Sequence, residues 1–457
     1  MSGVPTPPPI DVLEPSSDSS PREVESRAEL ELHLATGSLA GLTVQGLRLD
    51  VEPIPDVLSA DLTGTLFVGC RFASREVEAE LVRRGAYVVP PFATVPYATQ
   101  PPYLYTPEDL AAGFATEGFA GMYDNVIYQH FRATGGALPE VREALAQRLH
   151  DHGIDNALAD ATRTWLKAHG PESVVGVMGG HAVPRGASAY RMAARLGREL
   201  ARADRLVVTG GGPGVMEAAN LGAYLANRAP DELETAIDLL AAAPDFTDHD
   251  RYTSVALAVR ERFAPAPAPS AAPAPSATPA PSAAIPAARV PAARVPVEAA
   301  PGFPAAVSPA ASPAASPARP VAGGPPLNWA RLGGLAIPTW LYGHEPANLF
   351  AGQIAKYFSN AIREDTILRL ARGGIVFAPG RAGTVQEVFQ AATMAFYATE
   401  GPSGPFVFLD TAFWGSLPVA TLLRSLLAGS PHGDLSDLVL VTDSVDEAVA
   451  RLVGPTG

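Results

Sequence analysis

The chain has 457 residues, 47% hydrophobic and 18% charged, with a net charge of −14. At roughly 100–200 residues per domain this gives two or three domains and enough apolar residues for a sizeable core. The acidic balance excludes binding along a nucleic-acid backbone, yet permits a small anion held by backbone N–H groups and one or two arginines. Cys70 is the single cysteine, so no internal disulfide forms, which fits a reducing compartment.

Residues 1–27 are rich in Pro, Ser and acidic groups and are expected to form a disordered tail, without the basic-then-apolar order of a signal peptide. No window reaches the roughly 18 apolar residues of a membrane span, so no membrane partner and a cytoplasmic protein are expected. Residues 28–170 read as an accessory region, first β-rich (LTVQGLRLDV, GTLFVGCRF) and then helical from about Pro107. Within it, Met122–Phe131 is amphipathic and aromatic, which predicts core packing, and VREALAQRLHDHGIDNALADATRTWLKAHG predicts a long helix stopped at Gly170.

Residues 171–262 alternate between strand and helix: SVVGVMGG, a helix in SAYRMAARLGRELARAD, the strand RLVVTGGG, and a helix from PGVMEAANLGAYLANR. Residues 263–326 are an Ala/Pro-rich stretch with almost nothing to bury, expected as a disordered inserted linker. Residues 327–457 resume the alternation, with a helix read over NLFAGQIAKYFSNAIREDTILRLAR, the buried strand GGIVFAPG, a helix in AGTVQEVFQAATMAFYAT, the strand PFVFLD, and DLVLVTDSVDEAVARLV. Joined across the linker, the two parts predict one α/β domain, a Rossmann-like, doubly wound parallel sheet with helices on both faces.

Two glycine-rich turns carry the chemistry. In TGGGPGVMEAANLGA, Gly210, Gly211, Gly212 and Gly214 follow a strand and open a helix, where backbone N–H groups and the positive dipole end suit a phosphate. Glu217, in the first turn of that helix, either caps it or contacts a ribose hydroxyl. In APGRAGTVQE, Ala378–Glu387, the pattern returns: Gly380, Arg381 and Gly383 lead to Thr384, which either caps the helix or offers its hydroxyl to phosphate. Glu387 has capping-box spacing from Thr384, and its other reading places it in the crevice at the strand ends. A third cluster, Gly179, Gly180, His181 and Arg185, follows the first core strand, where phosphate or base would lie. The loop GHEP, Gly343–Pro346, sits on the same rim before a helix expected near Ala347. No metal-ligand spacing, nucleophile elbow or Walker sequence is present.

GGGPGVMEAANLGA followed by PGRAGTVQE resembles the LOG family, once called lysine-decarboxylase-like, over about Val174–Gly457 without the linker. The preceding N-terminal region is more like that of the longer bacterial nucleotide nucleosidases. The resemblance implies a phosphoribohydrolase that cleaves the N-glycosidic bond of a nucleoside 5′-monophosphate ligand without a cofactor. It implies Glu387 as the catalytic carboxylate, Arg363 as its partner, and Gly380, Gly383 and Thr384 as phosphate binders. It also implies a homo-oligomer. Arg381 departs from the family glycine, either adding a phosphate contact or closing the site; a non-catalytic nucleotide sensor or carrier is the alternative.

Overall fold

The computed structural model describes residues 22–264, 327–399, 401 and 403–454. The chain divides into two units, Met1–Phe263 with Val321–Gly457, and Ala264–Pro320. Of the second unit only Ala264 is described, so the expected linker lies almost wholly outside the described residues, as do residues 1–21 of the expected tail.

Thirteen strands occur among the described residues: β1 Glu23–Val24, β2 Thr43–Gln45, β3 Arg48–Leu49, β4 Leu66–Val68, β5 Arg71–Phe72, β6 Tyr87–Val89, β7 Val174–Met178, β8 Leu206–Thr209, β9 Leu335–Ala336, β10 Gln353–Ile354, β11 Gly374–Phe377, β12 Phe406–Leu409 and β13 Val439–Thr442. Seven form one parallel sheet in the order β10-β9-β8-β7-β11-β12-β13. β7, β8, β11 and β12 are buried along their whole length, as expected for strands covered by helices on both faces. Their near-continuous Val, Leu, Ile and Phe are what such burial selects. This is the Rossmann-like, doubly wound sheet that the alternation predicts.

The order of strands locates the crevice. From β7 the chain steps outward through β8, β9 and β10, then returns to β11 on the other side of β7. Open α/β sheets bind ligands where the winding reverses in this way, at the carboxyl ends of the strands. Both sides of the expected linker are needed: β8 pairs with β9 through Val208↔Leu335, and β7 pairs with β11 through Gly176↔Ile375.

Three expectations about elements are corrected. The tail ends sooner than residue 27, because Val24 is fully buried in β1 and Ser26 forms a capping box with Glu29 at the start of the helix Arg27–Ala35. The single helix read over 348–372 is instead β10 followed by the helix Asn360–Leu370. A side chain at Gly352 would run into the Trp329 and Leu332 carbonyls, and Gln353 and Ile354 complete the sheet beside β9. The helix expected near Ala347 is likewise irregular chain.

The accessory region has two parts. Its β-rich part pairs β1, β2, β4 and β6 in parallel, with β3 beside β5. Thr43 lies opposite Leu66 and Arg48 opposite Arg71, so QGLRL and VGCRF are successive coils of a small stacked repeat. Cys70 lies in its core, where burial pushes the thiol up to about 11. The helical part, including the helices Tyr123–Ala133 and Val141–His169, packs into the main core through Ile127, Phe131, Ile154 and Trp165.

Candidate functional site

Three loops converge at the ends of β7, β8 and β11. Ala378 N–H donates to the Met178 carbonyl at 2.9 Å and Gly180 N–H to the Pro379 carbonyl at 2.9 Å, so the β7 and β11 loops stay zipped past the sheet. Val215 N–H, at the head of the helix Val215–Tyr224, donates to the Gly180 carbonyl at 3.2 Å and ties in the third loop. Gly179 packs against Val215, where a Cβ would not fit.

The β8 loop is rigid. Gly211 N–H donates to Thr209 Oγ1 at 3.1 Å, Thr209 donates to Asn220 Oδ1 at 2.6 Å, and Asn348 Nδ2 reaches the same oxygen at 2.9 Å. Gly211 and Gly214 have φ of +73° and +69°, a region costly for any other residue. A Cβ on Gly214 would collide with the Gly180 carbonyl, and one on Gly212 would stand 2.9 Å from Glu345 Oε2. Every residue from Gly210 to Asn220 is buried. The turn expected to hold phosphate is thus an interior structure against which other groups pack.

Arg363 is one of those groups. It lies in the first turn of the helix Asn360–Leu370, which is capped by Ser359. Its Nε donates to the Ile337 carbonyl at 2.8 Å, Nη2 to the Gly210 carbonyl at 3.1 Å, and Nη1 faces Glu387 Oε1 at 3.4 Å. The guanidinium is buried, so it is a fixed cation of the crevice. Glu387 comes from the helix Ala382–Tyr397, whose N-cap is Arg381. Because the helix starts two residues before Thr384, Thr384 is inside the first turn and makes no cap, and Glu387 is free of the capping-box role. Its side chain is 14% exposed. Burial raises its carboxyl above the usual carboxylate range; Arg363 pulls it back, while the neighbouring Glu364 pushes it further up.

The head of that helix is the open part of the site. Arg381, Ala382 and Gly383 are exposed, no side chain caps the first N–H groups, and a Cβ on Gly383 would meet nothing. Uncapped N–H groups at a positive dipole end suit a phosphate. Gly380 packs against Thr384, which is buried. Arg381 is exposed beside these N–H groups, where a guanidinium could meet an anion.

Arg185 and Glu217 are placed elsewhere. They form a buried bidentate pair at 2.7 and 2.8 Å, and Glu217 also accepts from Tyr190 at 2.6 Å and Tyr252 at 2.8 Å. Arg185 Nη1 donates to the Tyr252 carbonyl at 2.9 Å. With all three of its nitrogens donating and its guanidinium lying over the Tyr252 ring, Arg185 and its partner lock three segments together in place of the expected ligand contacts. His181 is half exposed at the mouth, with Nδ1 3.5 Å from Glu345 Oε1.

Other residues emerge only in the structure. Asp151, from the accessory helix Val141–His169, accepts from Phe358 N–H at 2.8 Å and Ser359 N–H at 2.9 Å, and Asp155 accepts from Tyr357 OH at 2.8 Å. Asp124 accepts from buried Lys356 at 2.6 Å and from Trp340 Nε1 at 2.9 Å. Three aspartates of the accessory region therefore hold the segment that leads into the Arg363 helix. Lys356, a lone cation in the apolar run of residues 349–358, was the one available sign. Among the described residues no group of three His, Cys, Asp or Glu is arranged to hold a metal ion, and no helix is long and apolar enough to cross a membrane.

Residues 172–228 match the model of the SLOG cluster4 family, part of a superfamily that includes LOG-like Rossmann folds. The matched stretch holds β7, β8 and the first glycine turn; Arg363 and Glu387 lie beyond it. No curated protein matches the chain.

Proposed function

We propose that the protein hydrolyses the N-glycosidic bond of a nucleoside 5′-monophosphate, releasing a free base and ribose 5-phosphate. The observation that carries this reading is the pair of buried Arg363 and partly buried Glu387 at the winding reversal, next to the open helix start at Arg381–Gly383. The 5′-phosphate would sit on the N–H groups of residues 382–384 beside Arg381, and its binding energy would bring C1′ to Glu387. Breaking the ribosyl bond builds positive charge on the sugar, which a fixed carboxylate stabilises while it takes a proton from the attacking water. Arg363 holds Glu387 in place and favours its charged form. The same reading includes a homo-oligomer, which light scattering of the purified chain would test.

The test is incubation with a panel of nucleoside 5′-monophosphates and chromatography for free base, with Glu387→Gln alongside. Base release by the wild type and its loss in the variant support the reading. A nucleotide that raises the melting temperature without being cleaved would replace it with a nucleotide sensor.

A further inference from the structure

Glu217 and Glu345 are two carboxylates of contrasting surroundings, the first fully buried and the second partly exposed. Glu217 receives four hydrogen bonds from Arg185, Tyr190 and Tyr252. Glu345 has a side chain only 13% exposed, and its one ionic partner among the described residues is His181, at 3.5 Å. A largely enclosed carboxylate whose one ionic partner among the described residues is a half-exposed histidine pairs two titratable groups at one spot, the arrangement that proton-transfer sites use. Its position supplies one. Glu345 follows β9 and reaches the glycine turn at Gly212, whereas Glu387 follows β11 and meets the turn through Arg363 at Gly210. The two carboxylates thus approach the same turn from opposite sides of β7 and β8.

We propose that His181 is the acid that protonates the departing base and that Glu345 is the positioning residue that holds its imidazolium. This rests on the hydrolytic reading above. With the Glu345 carboxylate 3.5 Å from Nδ1, Nε2 of the half-exposed ring is the nitrogen left to carry the proton for the base. As the C1′–N bond breaks, its electron pair goes to the base, which takes the Nε2 proton. The oxygen of water bonds to C1′ and its proton passes to Glu387. That proton then returns to His181 through solvent, which closes the cycle. The positive groups facing Glu345 are His181, His344, Lys356 and Arg363, with Lys356 itself paired to Asp124. Burial lifts the Glu345 carboxyl, and the neighbouring His181 draws it back down.

The experiment compares two leaving groups. Wild type, His181→Asn, Glu345→Gln and Glu387→Gln are assayed on the best nucleoside 5′-monophosphate and on 4-nitrophenyl β-D-ribofuranoside 5-phosphate, whose phenolate leaves without a proton. His181→Asn and Glu345→Gln should lose about 10²–10⁴-fold in kcat on the nucleotide and less than about tenfold on the nitrophenyl substrate. Glu387→Gln should lose activity on both. Equal losses on the two substrates in His181→Asn, or none on the nucleotide, would overturn the assignment. His181 is half exposed, so its variant carries the test even if Glu345→Gln unfolds. Wild-type inactivity on every nucleotide and on the nitrophenyl substrate would instead overturn the hydrolytic reading itself.

Discussion

Gly210–Gly214 and Gly380–Gly383 each follow a buried parallel strand and each lead into a helix, yet the first turn is buried throughout while Arg381, Ala382 and Gly383 of the second are exposed. In the first, missing side chains make room for other parts of the protein: Arg363 at Gly210, Glu345 at Gly212 and the Gly180 carbonyl at Gly214. In the second, Gly380 makes room for Thr384, but the missing side chain of Gly383 leaves backbone donors open to solvent. One pattern of residues therefore serves two physical ends, and the surroundings decide which.

The contrast can be broken by substitution. The largest effect is expected from Glu387→Gln, which should lower kcat/KM about 10²–10⁴-fold. Burial raises the Glu387 carboxyl, so its ionisation works against folding once the pH passes the ordinary value of about 4.3. The neutral amide escapes that penalty, and thermal unfolding at pH 7 should show a melting temperature within a few degrees of wild type. A large drop would recast Glu387 as structural.

Gly214→Ala comes next. With φ of +69° and the Gly180 carbonyl in the way, it should destabilise the fold by at least about 1–3 kcal/mol in urea denaturation. An unchanged midpoint would mean the first turn is not pinned. Gly383→Ala should do the opposite, because its Cβ meets open space in the first turn of a helix. It should gain about 0.5–1 kcal/mol of stability while nucleotide affinity falls; Arg381→Ala should weaken affinity about tenfold, as expected for one lost charge-assisted contact. Calorimetric titration showing wild-type affinity in both would move the phosphate seat elsewhere. The smallest effect is expected from Glu364→Gln. Glu364 helps hold the Glu387 carboxyl up, so its removal should shift the acid limb of the pH–rate profile downward.

The sheet was legible because its strands are unbroken apolar runs between amphipathic helices, a pattern that local composition carries. β9 and β10 were not, since two-residue strands leave no periodicity, and Gly352 alone hinted that the helix read over 348–372 is interrupted. Glu387 was singled out by its motif and Arg363 by its place on the helix before β11, but which of the two roles is open to Glu387 depends on a helix start that lies two residues from the expected one. Arg185 and Glu217 looked like ligand groups because nothing local reveals that Tyr190 and Tyr252 will enclose them. Asp124, Asp151 and Asp155 read as ordinary polar helix residues; their partners lie some 200 positions away in the chain.

The stretch expected as a linker lies in the chain between β8 and β9, adjacent strands that already grip each other through backbone pairing and through Asn220 and Asn348. β7 and β11 bind the same two halves a second time. Continuity of the polypeptide between residues 265 and 326 is then not what holds together the body that carries the candidate site. A chain nicked there by a protease, or produced as two separately translated pieces, should assemble into one particle on gel filtration, with Arg363 and Glu387 of one piece completing the glycine turn of the other.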